Sequence, residues 1–341
     1  MIKLSFLQPF TWFLLFSFPL SSAASTKIIG YLPSYKGLKD NINAAQLSKL
    51  THLNIAFLNP DRDGHFVDGD TLTCMTAKRG NKLTSKELSS TVDLAHQENV
   101  KVLMSIGGAI MPACAGDWRT LLSDNNRHQL INELMTLVQH YHLDGLDVDL
   151  ESALLMHLID DKSYLPFIKN LSAKLKAKNK LLTAATGSYV GGMIPVQSIP
   201  YFDFINVMSY DAIGPTWGKP GVEHATIEQA KRDLLLWQKR GVDKHKLILG
   251  LPFYGYGFGK YQANYSISAI NKQFGDKILD QDVIGSVCAS CDYITFNGKS
   301  TITAKTKLAL QLGGGVMVWE LTHDLTDENS LLSVIDSTVN Q

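Results

Sequence analysis

Residues 142–152 read HLDGLDVDLES, a stretch that concentrates acidic side chains among Leu, Val and Gly. Successive side chains of a β-strand point to opposite faces, so Asp147, Asp149 and Glu151 share one face. The Leu and Val residues between them share the other face, which is suited to packing against helices. The stretch therefore predicts a buried strand that carries a row of inward carboxyls near its end.

Similar apolar runs recur along the chain, separated by segments of helical periodicity, which is the pattern of parallel strands joined by crossover helices. Eight strand candidates begin at Lys27, His52, Val100, Leu143, Leu181, Phe202, Lys246 and Gly314. Eight βα units predict an α/β fold, a single (β/α)8 TIM barrel over residues 25–341. An open doubly wound sheet is the competing fold. However, no GxGxxG follows a first strand, and the run GYGFG at 255–259 has the wrong spacing and follows the seventh strand.

Helix signals lie between the strand candidates. Thr84 with Glu87 and Thr226 with Gln229 match the capping box that opens a helix. An apolar stripe at helical spacing precedes the acidic strand and consists of Leu130, Leu134, Leu137, Val138 and Tyr141. These signals predict crossover helices whose apolar faces pack on the barrel.

Two connections are longer than a barrel requires, residues 59–83 after the second strand and 256–304 after the seventh. Because βα loops build the catalytic face of a TIM barrel, both insertions should lie there. The second contains Asn297-Gly298 between β-forming residues, which predicts a small β-hairpin.

The N-terminus has the layout of a secretory signal peptide over residues 1–24, with Lys3, an apolar run and a cleavage site near Ala24. An uncleaved membrane anchor is the alternative, but the run is short for a bilayer and is interrupted by Pro9 and Pro19. We expect a secreted protein, extracellular or periplasmic, with no membrane attachment after cleavage.

Export permits disulfides, and the chain has an even number of cysteines. The preferred pairing joins Cys74 to Cys114, because both fall in adjacent loops of the catalytic face, and Cys288 to Cys291. A zinc site of four thiolates and a redox-active CxxC are the alternatives. A single CxxC in a polar loop region favours neither.

The charge pattern narrows the choice of partners. Lys plus Arg equals Asp plus Glu at 32 each, and the charges are scattered, which excludes a nucleic-acid or anionic-membrane footprint and suits a neutral substrate. The position of Gly145 does not fit a calcium loop, and the ten histidines show no paired-ligand spacing. We therefore expect neither a metal nor another cofactor.

The acidic strand has no cation close in sequence, since residues 128–161 contain neither Lys nor Arg. Buried carboxyls without a cation share protons, and the pKa of at least one of them rises. A raised pKa makes a general acid available at neutral pH. Asp144 has the opposite parity, so we expect it to bond backbone or a helix end.

These motifs together resemble family 18 of the glycoside hydrolases, the chitinase-like enzymes. DGLDVDLE at 144–151 matches the family's DxxDxDxE signature. The other matches lie on predicted strands in the family's order: Gly30-Tyr31, the SxGG pattern at 105–108, the MxYD pattern at 208–211, GLPFYG at 250–255, and Met317-Val-Trp319.

The resemblance implies hydrolysis with retention, in which the substrate's own N-acetyl carbonyl attacks the anomeric carbon. It implies that Glu151 is the general acid and then the base. Asp149 would orient the acetamido group and stabilise the oxazolinium charge. Asp147 would share a proton with Asp149, and Tyr31 and Ser105 would hold Asp147.

The resemblance also implies contacts to the sugar. Tyr210 would donate its hydroxyl to the acetamido oxygen, and Asp211 would bind the same sugar or tune Glu151. Trp319 would form an apolar floor, because pyranose faces stack on indole.

Four further side chains have two interpretations each. Phe57 and Met208 are either pocket wall or core, and Trp118 and Trp217 are either sugar platforms or loop anchors. The complete set of expected substrate-binding residues is Tyr31, Phe57, Ser105, Met208, Asp211, Trp217 and Trp319.

Two departures from the family pattern point to a shallow cleft for soluble oligosaccharides. Glu151 is followed by Ser152-Ala153-Leu154, where deep-cleft chitinases commonly carry an aromatic residue and proline. The insertion at 256–304 is also short for the α+β domain that walls a deep cleft.

Three functions are consistent with the resemblance, each expected of a monomer that takes an N-acetylglucosamine-containing oligo- or polysaccharide. The first is a chitinase or chitooligosaccharide hydrolase. The second is an endo-β-N-acetylglucosaminidase acting on the chitobiose core of N-glycans. The third is a non-catalytic lectin, which retention of the acidic residues and Tyr210 disfavours.

Overall fold

The computed structural model describes residues 26–341, so the expected signal peptide lies outside the described residues. In chain order the strands are β1 (Lys27–Pro33), β2 (His52–Leu58), β3 (Val67–Asp68), β4 (Thr71–Thr76), β5 (Lys82–Thr84), β6 (Lys101–Gly108), β7 (Gly145–Leu150), β8 (Leu181–Thr186), β9 (Phe204–Val207), β10 (Leu247–Pro252), β11 (Tyr254–Phe258), β12 (Asn264–Ser266), β13 (Val283–Gly285), β14 (Tyr293–Thr295) and β15 (Gly315–Trp319).

The α-helices are α1 (Ala44–Leu47), α2 (Ser85–Gln97), α3 (Trp118–Leu121), α4 (Arg127–His140), α5 (Ser152–Asp160), α6 (Tyr164–Lys176), α7 (Ile227–Lys239), α8 (Ile267–Phe274), α9 (Lys299–Leu312) and α10 (Leu331–Val339). Short 3-10 helices cover Ser34–Lys36, Lys78–Gly80, Val196–Tyr201, Lys244–Lys246, Asp276–Asp280 and Leu321–His323.

The eight strands predicted from the sequence form a closed parallel barrel in the order β1, β2, β6, β7, β8, β9, β10, β15. Pairing of β15 with β1 closes the barrel. Helices cover its outside and inward side chains fill its interior, so strands such as β7 are buried along their whole length. The TIM-barrel prediction is confirmed.

The capping signals mark helix starts as predicted. The Thr84 hydroxyl accepts a hydrogen bond from the Glu87 amide at the start of α2, and the Thr226 hydroxyl accepts one from the Gln229 amide at the start of α7. The predicted stripe of α4 and its C-cap is buried. One crossover differs, because Val196–Tyr201 after β8 is a 3-10 helix. It follows Pro195 and contains Pro200, which lacks the N–H that an α-helix needs.

The first insertion folds as a three-stranded antiparallel sheet, β3-β4-β5. Its strand β4 carries Cys74, and a disulfide to Cys114 joins it to the loop after β6, as predicted. Trp118 is buried and donates its indole N–H to Asn59 Oδ1 at 2.9 Å. Trp118 is therefore a loop anchor, and the sugar-platform interpretation of it is wrong.

The second insertion is more elaborate than the predicted hairpin. Four antiparallel strands in the order β12-β11-β14-β13, together with α8, form a small α+β unit. The hairpin in it joins β13 to β14, and its connecting loop carries the predicted disulfide between Cys288 and Cys291. The insertion thus forms a structured wall of the catalytic face.

The hairpin predicted at Asn297-Gly298 is wrong. Strand β14 ends before this pair, and Gly298 is the N-cap of α9. The Asn297 side chain donates to the Ala225 carbonyl at 2.8 Å and accepts from Lys305 Nζ at 2.7 Å. These buried contacts override the local turn preference.

Within residues 26–341, no helix is long and apolar enough to cross a membrane.

A substitution at Gly107 tests the packing between β6 and β7. Its φ is +105°, and a Cβ there would collide with the backbone oxygen of Asp149. Gly107→Ala should lower the free energy of unfolding by about 3 kcal/mol, from roughly 1–2 kcal/mol of left-handed strain plus overpacking. Urea denaturation measures the loss.

Gly191→Ala is the matched control, because Gly191 has φ +89° and no heavy atom within 4 Å of the added Cβ. It should lose only the backbone contribution, roughly 1–2 kcal/mol. Equal losses in the two variants would refute the close β6–β7 contact at Asp149.

Candidate active site

The carboxyl row of β7 faces the barrel interior, as its parity predicts. Asp147 and Asp149 are buried, and Glu151 follows the last residue of β7 and is the N-cap of α5. The next residue, Ser152, has φ +53°, a left-handed conformation at the turn from strand to helix. Asp144, of opposite parity, accepts from the Val102 backbone N–H at 2.8 Å and lies 2.8 Å from the His96 ring near the end of α2.

Asp147 is held by four neutral donors from four other barrel strands. Its Oδ2 accepts from the hydroxyls of Tyr31 at 2.6 Å and Ser105 at 2.8 Å. Its Oδ1 accepts from the Thr183 hydroxyl at 2.5 Å and the Asn206 amide at 3.3 Å. Burial raises the pKa of Asp147, and these hydrogen bonds oppose the rise. The result is a fixed acceptor at the barrel centre.

Ser105 has no exposed surface. The expected contact of Ser105 with the sugar stays a prediction. Its hydroxyl supports Asp147 because residue 105 pairs with residue 147 across β6 and β7.

Asp149 and Glu151 share a hydrogen bond between their carboxyls, which requires a proton on one of them. Burial raises the pKa of Asp149 well above its usual range, and the negative charges of Glu151 and Asp147 raise it further. Burial also raises the pKa of Glu151 to about 7; the hydrogen bond with Asp149 opposes this rise and the charge of Asp211 adds to it. The pair therefore retains a proton at neutral pH.

This pairing differs from the predicted one between Asp147 and Asp149. Four donors already surround Asp147, so its oxygens are occupied. In this structure Asp149 consequently shares its proton with Glu151.

A cavity of about 140 Å³ adjoins the carboxyl pair. The rings of Phe57 and Trp319 stack with centroids 5.5 Å apart, and Tyr31 meets Trp319 edge-on at 5.5 Å. The residues that line this cavity are Tyr31, Phe57, Ala109, Asp149, Glu151, Ala185, Met208, Tyr210, Asp211, Met317 and Trp319. Phe57 and Met208 are thus pocket wall, and the site combines two carboxyls with an aromatic surface.

Two larger cavities adjoin the central one. The Glu151-side cavity, about 840 Å³, includes Glu151, Ser152, Tyr189, Met208, Tyr210, Asp211, Trp217, Arg232 and Asp233 in its lining. The Trp319-side cavity, about 680 Å³, includes Lys36, Lys78, Asp211, Tyr254, Tyr265, Trp319 and His323. Asp211 borders all three cavities, so together they form one cleft.

Trp217 is held by contacts within the protein, and its side chain is still partly accessible to a ligand. Its indole N–H donates to the Asp211 carbonyl at 3.3 Å, and its ring packs edge-on against Tyr256. The side chain is nonetheless 45% exposed at the rim of the Glu151-side cavity. Trp217 is therefore a loop anchor, and its exposed face leaves the role of a sugar platform open.

Tyr210 lines the central cavity together with the carboxyl pair and Asp211. Burial raises its pKa well above the usual range, and the charges of Asp211, Asp149 and Glu151 add to the rise. Its hydroxyl therefore keeps its proton and is a donor at neutral pH.

Asp211 has partners that the sequence analysis does not identify. Tyr254 donates its hydroxyl to Asp211 Oδ1 at 2.5 Å, and the His224 ring lies 3.7 Å from the same oxygen. Thr183 and Asn206 are likewise missed. A pattern within one strand could not identify them, because it is the register between strands that puts Thr183 level with Asp147.

No group of three or more His, Cys, Asp or Glu side chains within residues 26–341 is placed to hold a metal ion.

Thr183 tests the support of Asp147. Thr183→Val removes one donor with little change of shape, and should lower the free energy of unfolding at pH 7 by about 2 kcal/mol, as for a hydrogen bond to a charged group. The missing donor penalises ionised Asp147 more than the neutral carboxyl, because hydrogen bonds to a charged group are stronger. Since burial raises the pKa of Asp147, the loss should shrink as the pH falls and the carboxyl is protonated. Urea denaturation at pH 7 and pH 4 measures this.

Thr183→Ser keeps the hydroxyl and should show the wild-type dependence on pH. A loss in Thr183→Val that is independent of pH would contradict the hydrogen bond to an ionised Asp147.

The model of the glycosyl hydrolases family 18 matches residues 27–324. The chain is 32% identical to a family 18 chitinase from the chitin utilization locus of Flavobacterium johnsoniae, with a TM-score of 0.78 over 93% of this chain and 94% of that one. It is 29% identical to a chitinase from Bacteroides thetaiotaomicron, with a TM-score of 0.75 over 92% and 96% of the two chains.

Among curated relatives, Nod factor hydrolase protein 1 of Medicago truncatula is 25% identical over 82% of each chain. Probable chitinase 10 of Drosophila melanogaster is 23% identical over 78% of this chain, which spans 14% of that protein's length. The family match covers the barrel and the whole carboxyl row. The chain therefore belongs to family 18 of the glycosyl hydrolases and is a glycosidase.

Proposed function

We propose that the protein is a secreted hydrolase of β-1,4 linkages in N-acetylglucosamine polymers or oligomers, with Glu151 as general acid and base. The observation that carries this proposal is the proton-sharing pair of Asp149 and Glu151 beside a small cavity lined by Phe57 and Trp319. Aromatic faces suit the apolar face of a pyranose, and carboxyls suit its polar groups.

The similar proteins support this substrate class. The two solved structures compared above are both named chitinases, and one of them comes from a chitin utilization locus. Secretion is supported by the sequence of residues 1–24 and by the two disulfides, which persist in oxidising compartments.

Glu151 can act first as an acid, because burial raises its pKa to about 7. Its proton passes to the glycosidic oxygen as the bond from that oxygen to the anomeric carbon breaks. The acetamido carbonyl oxygen of the same sugar bonds to that carbon, which gives an oxazolinium ion. Water then attacks the carbon as its bond to the acetamido oxygen breaks, which restores the acetamido group. The water gives a proton to Glu151, so the carboxyl is restored as well.

Asp149 offers the acetamido group a hydrogen-bond acceptor. Its Oδ1 is buried and has no hydrogen-bond partner among the described residues. A buried unpaired acceptor is costly, so a ligand that brings a donor is favoured. The acetamido N–H is such a donor, and pairing with Asp149 would align the carbonyl for attack. The Tyr210 hydroxyl is suited to donate to the carbonyl oxygen.

The direction of the substrate follows from the place of the acid. Glu151 protonates the leaving oxygen, so the leaving group occupies the cavity that includes Glu151 and Trp217. The sugars on the other side of the scissile bond extend past Trp319 into the cavity lined by Lys36 and Tyr265.

One observation favours a second candidate, an endo-β-N-acetylglucosaminidase. Ser152 borders a Glu151-side cavity of about 840 Å³, and no aromatic residue follows the acid to narrow it. A cavity of that size has room for a leaving group larger than an unbranched sugar chain, such as a glycosylated peptide.

Glu151→Gln tests the assigned acid. The amide cannot donate and recover a proton, so hydrolysis of a fluorogenic chitobioside or chitotrioside should slow by at least about 10²-fold. Initial-rate fluorimetry of both proteins measures this, with Asp160→Asn on the exposed end of α5 as a surface control of the same charge change.

Unchanged turnover by Glu151→Gln would reject the assignment. Wild type that ignores chitooligosaccharides but cleaves high-mannose glycopeptides would select the second candidate. Binding of either without turnover would make the protein a lectin.

The stereochemistry provides an independent test. Two displacements at one carbon retain configuration, so a β-linked chitooligosaccharide should release the β anomer first. Proton NMR of the anomeric signals in the first minutes of reaction measures this. An α anomer as the initial product would exclude attack by the acetamido group.

A further inference from the structure

His224 is a buried imidazole beside the cleft that the proposed reaction does not use. Its side chain has no exposed surface, and neither ring nitrogen has a hydrogen-bond partner within the described residues. A neutral imidazole carries one donor and one acceptor, and burying both unpaired is costly. A buried polar group without a partner in a native site needs a specific explanation, and a neighbouring side chain that can turn toward it is one.

The backbone of His224 is fixed, so the residue cannot move to find a partner. Its carbonyl accepts from the Ala212 N–H at 2.9 Å, and its own N–H donates to the Thr295 hydroxyl at 3.3 Å. The next carbonyl, that of Ala225, accepts from Lys305 Nζ at 2.9 Å. Three separate parts of the fold therefore hold this segment.

The ring is also confined. The rings of Tyr254 and Tyr256 lie with centroids 5.3 Å and 5.2 Å from it. Burial lowers the pKa of His224, although Asp211 opposes the change, so the ring is neutral at pH 7. The titratable groups that face it are Asp211 in the loop after β9, Tyr254 and Tyr256 on β11, and Lys305 on α9.

Asp211 is the partner within reach. Its Oδ1 lies 3.7 Å from His224 Nδ1, just beyond a hydrogen bond, and its side chain is 37% exposed, so it has room to turn. In this structure the same oxygen accepts from Tyr254. Asp211 borders the central cavity and its charge acts on Glu151.

We propose that His224 is a positioning residue that donates from Nδ1 to Asp211 and so holds this carboxylate close to Glu151 and the bound sugar. The proposal rests on the proposed role of Glu151 as the acid. Through Asp211, His224 sets the pH range in which Glu151 keeps the proton that it must donate.

The test compares pH profiles of kcat/KM on a fluorogenic chitotrioside. In wild type the rate should fall as the pH rises through about 7, where Glu151 loses its proton. His224→Phe keeps an aromatic ring but has no donor, so Asp211 is free to leave. Less negative charge near Glu151 favours its ionised form, and the alkaline limb should move to lower pH by about half a unit.

Two variants separate positioning from structure. His224→Gln restores a side-chain N–H and should return the limb toward the wild-type pH. His52→Phe alters another buried histidine with an unpartnered Nε2, at the opposite end of the barrel, and should leave the limb unchanged. An unshifted limb in His224→Phe, or the same shift in His52→Phe, would overturn the proposal.

A second measurement does not depend on hydrolysis. The urea midpoints of His224→Phe, Asp211→Asn and the double variant should be non-additive if the two side chains interact. Additive changes would overturn the role of His224 even in an active enzyme. Absence of hydrolysis by wild type together with non-additive midpoints would reject the proposed function and retain the contact.

Discussion

Asp147 is a carboxyl without exposed surface at the centre of an eight-stranded barrel. The geometry of the site depends on which groups donate hydrogen bonds to it. Removing a carboxylate from water costs several kcal/mol unless hydrogen bonds replace its hydration. Its four donors come from β1, β6, β8 and β9. Five strands must therefore meet at one level, and a slip of one residue in any of them would turn its donor to the wrong face.

The neutrality of those donors has a chemical consequence. An Arg or Lys beside Asp147 would favour ionised carboxyls along the whole row. With hydroxyl and amide donors only, the charge of Asp147 is not cancelled, and it raises the pKa of Asp149 in addition to the effect of burial. Asp149 then hydrogen-bonds to Glu151, so the interaction that fixes the strand register also supports the acid that we propose.

The part of this site that sequence could predict is the part encoded within single strands. Alternation along β7 places Asp147, Asp149 and Glu151 correctly, and family resemblance supplies Tyr31. Thr183 and Asn206 were beyond reach because their role depends on which residues stand level across the barrel, which one strand does not encode. Ser105 shows the same limit, since its motif indicates proximity to the site but not the side from which it acts.

Local turn chemistry failed for a related reason. Asn297-Gly298 is a strong hairpin signal in isolation. In the fold, the Asn297 amide pairs with a carbonyl of the loop after β9 and with buried Lys305, and Gly298 caps α9. Contacts between segments far apart in sequence outweighed the preference of two adjacent residues, and these contacts also fix the segment that carries His224.

The side chains that border the Glu151-side cavity are different from those that hold Asp147. Asp147 and its donors lie within barrel strands, whereas Ser152, Tyr189 and Trp217 border the Glu151-side cavity from the loops or helix starts after β7, β8 and β9. None of these three side chains bonds to Asp147. If the leaving group occupies this cavity, as we propose, substitutions in the loops would change its size without disturbing the hydrogen bond between Asp149 and Glu151. In the reaction that we propose, the small side chain of Ser152 leaves the Glu151-side cavity wide where the leaving group would depart, and strand β7 remains fixed by the barrel.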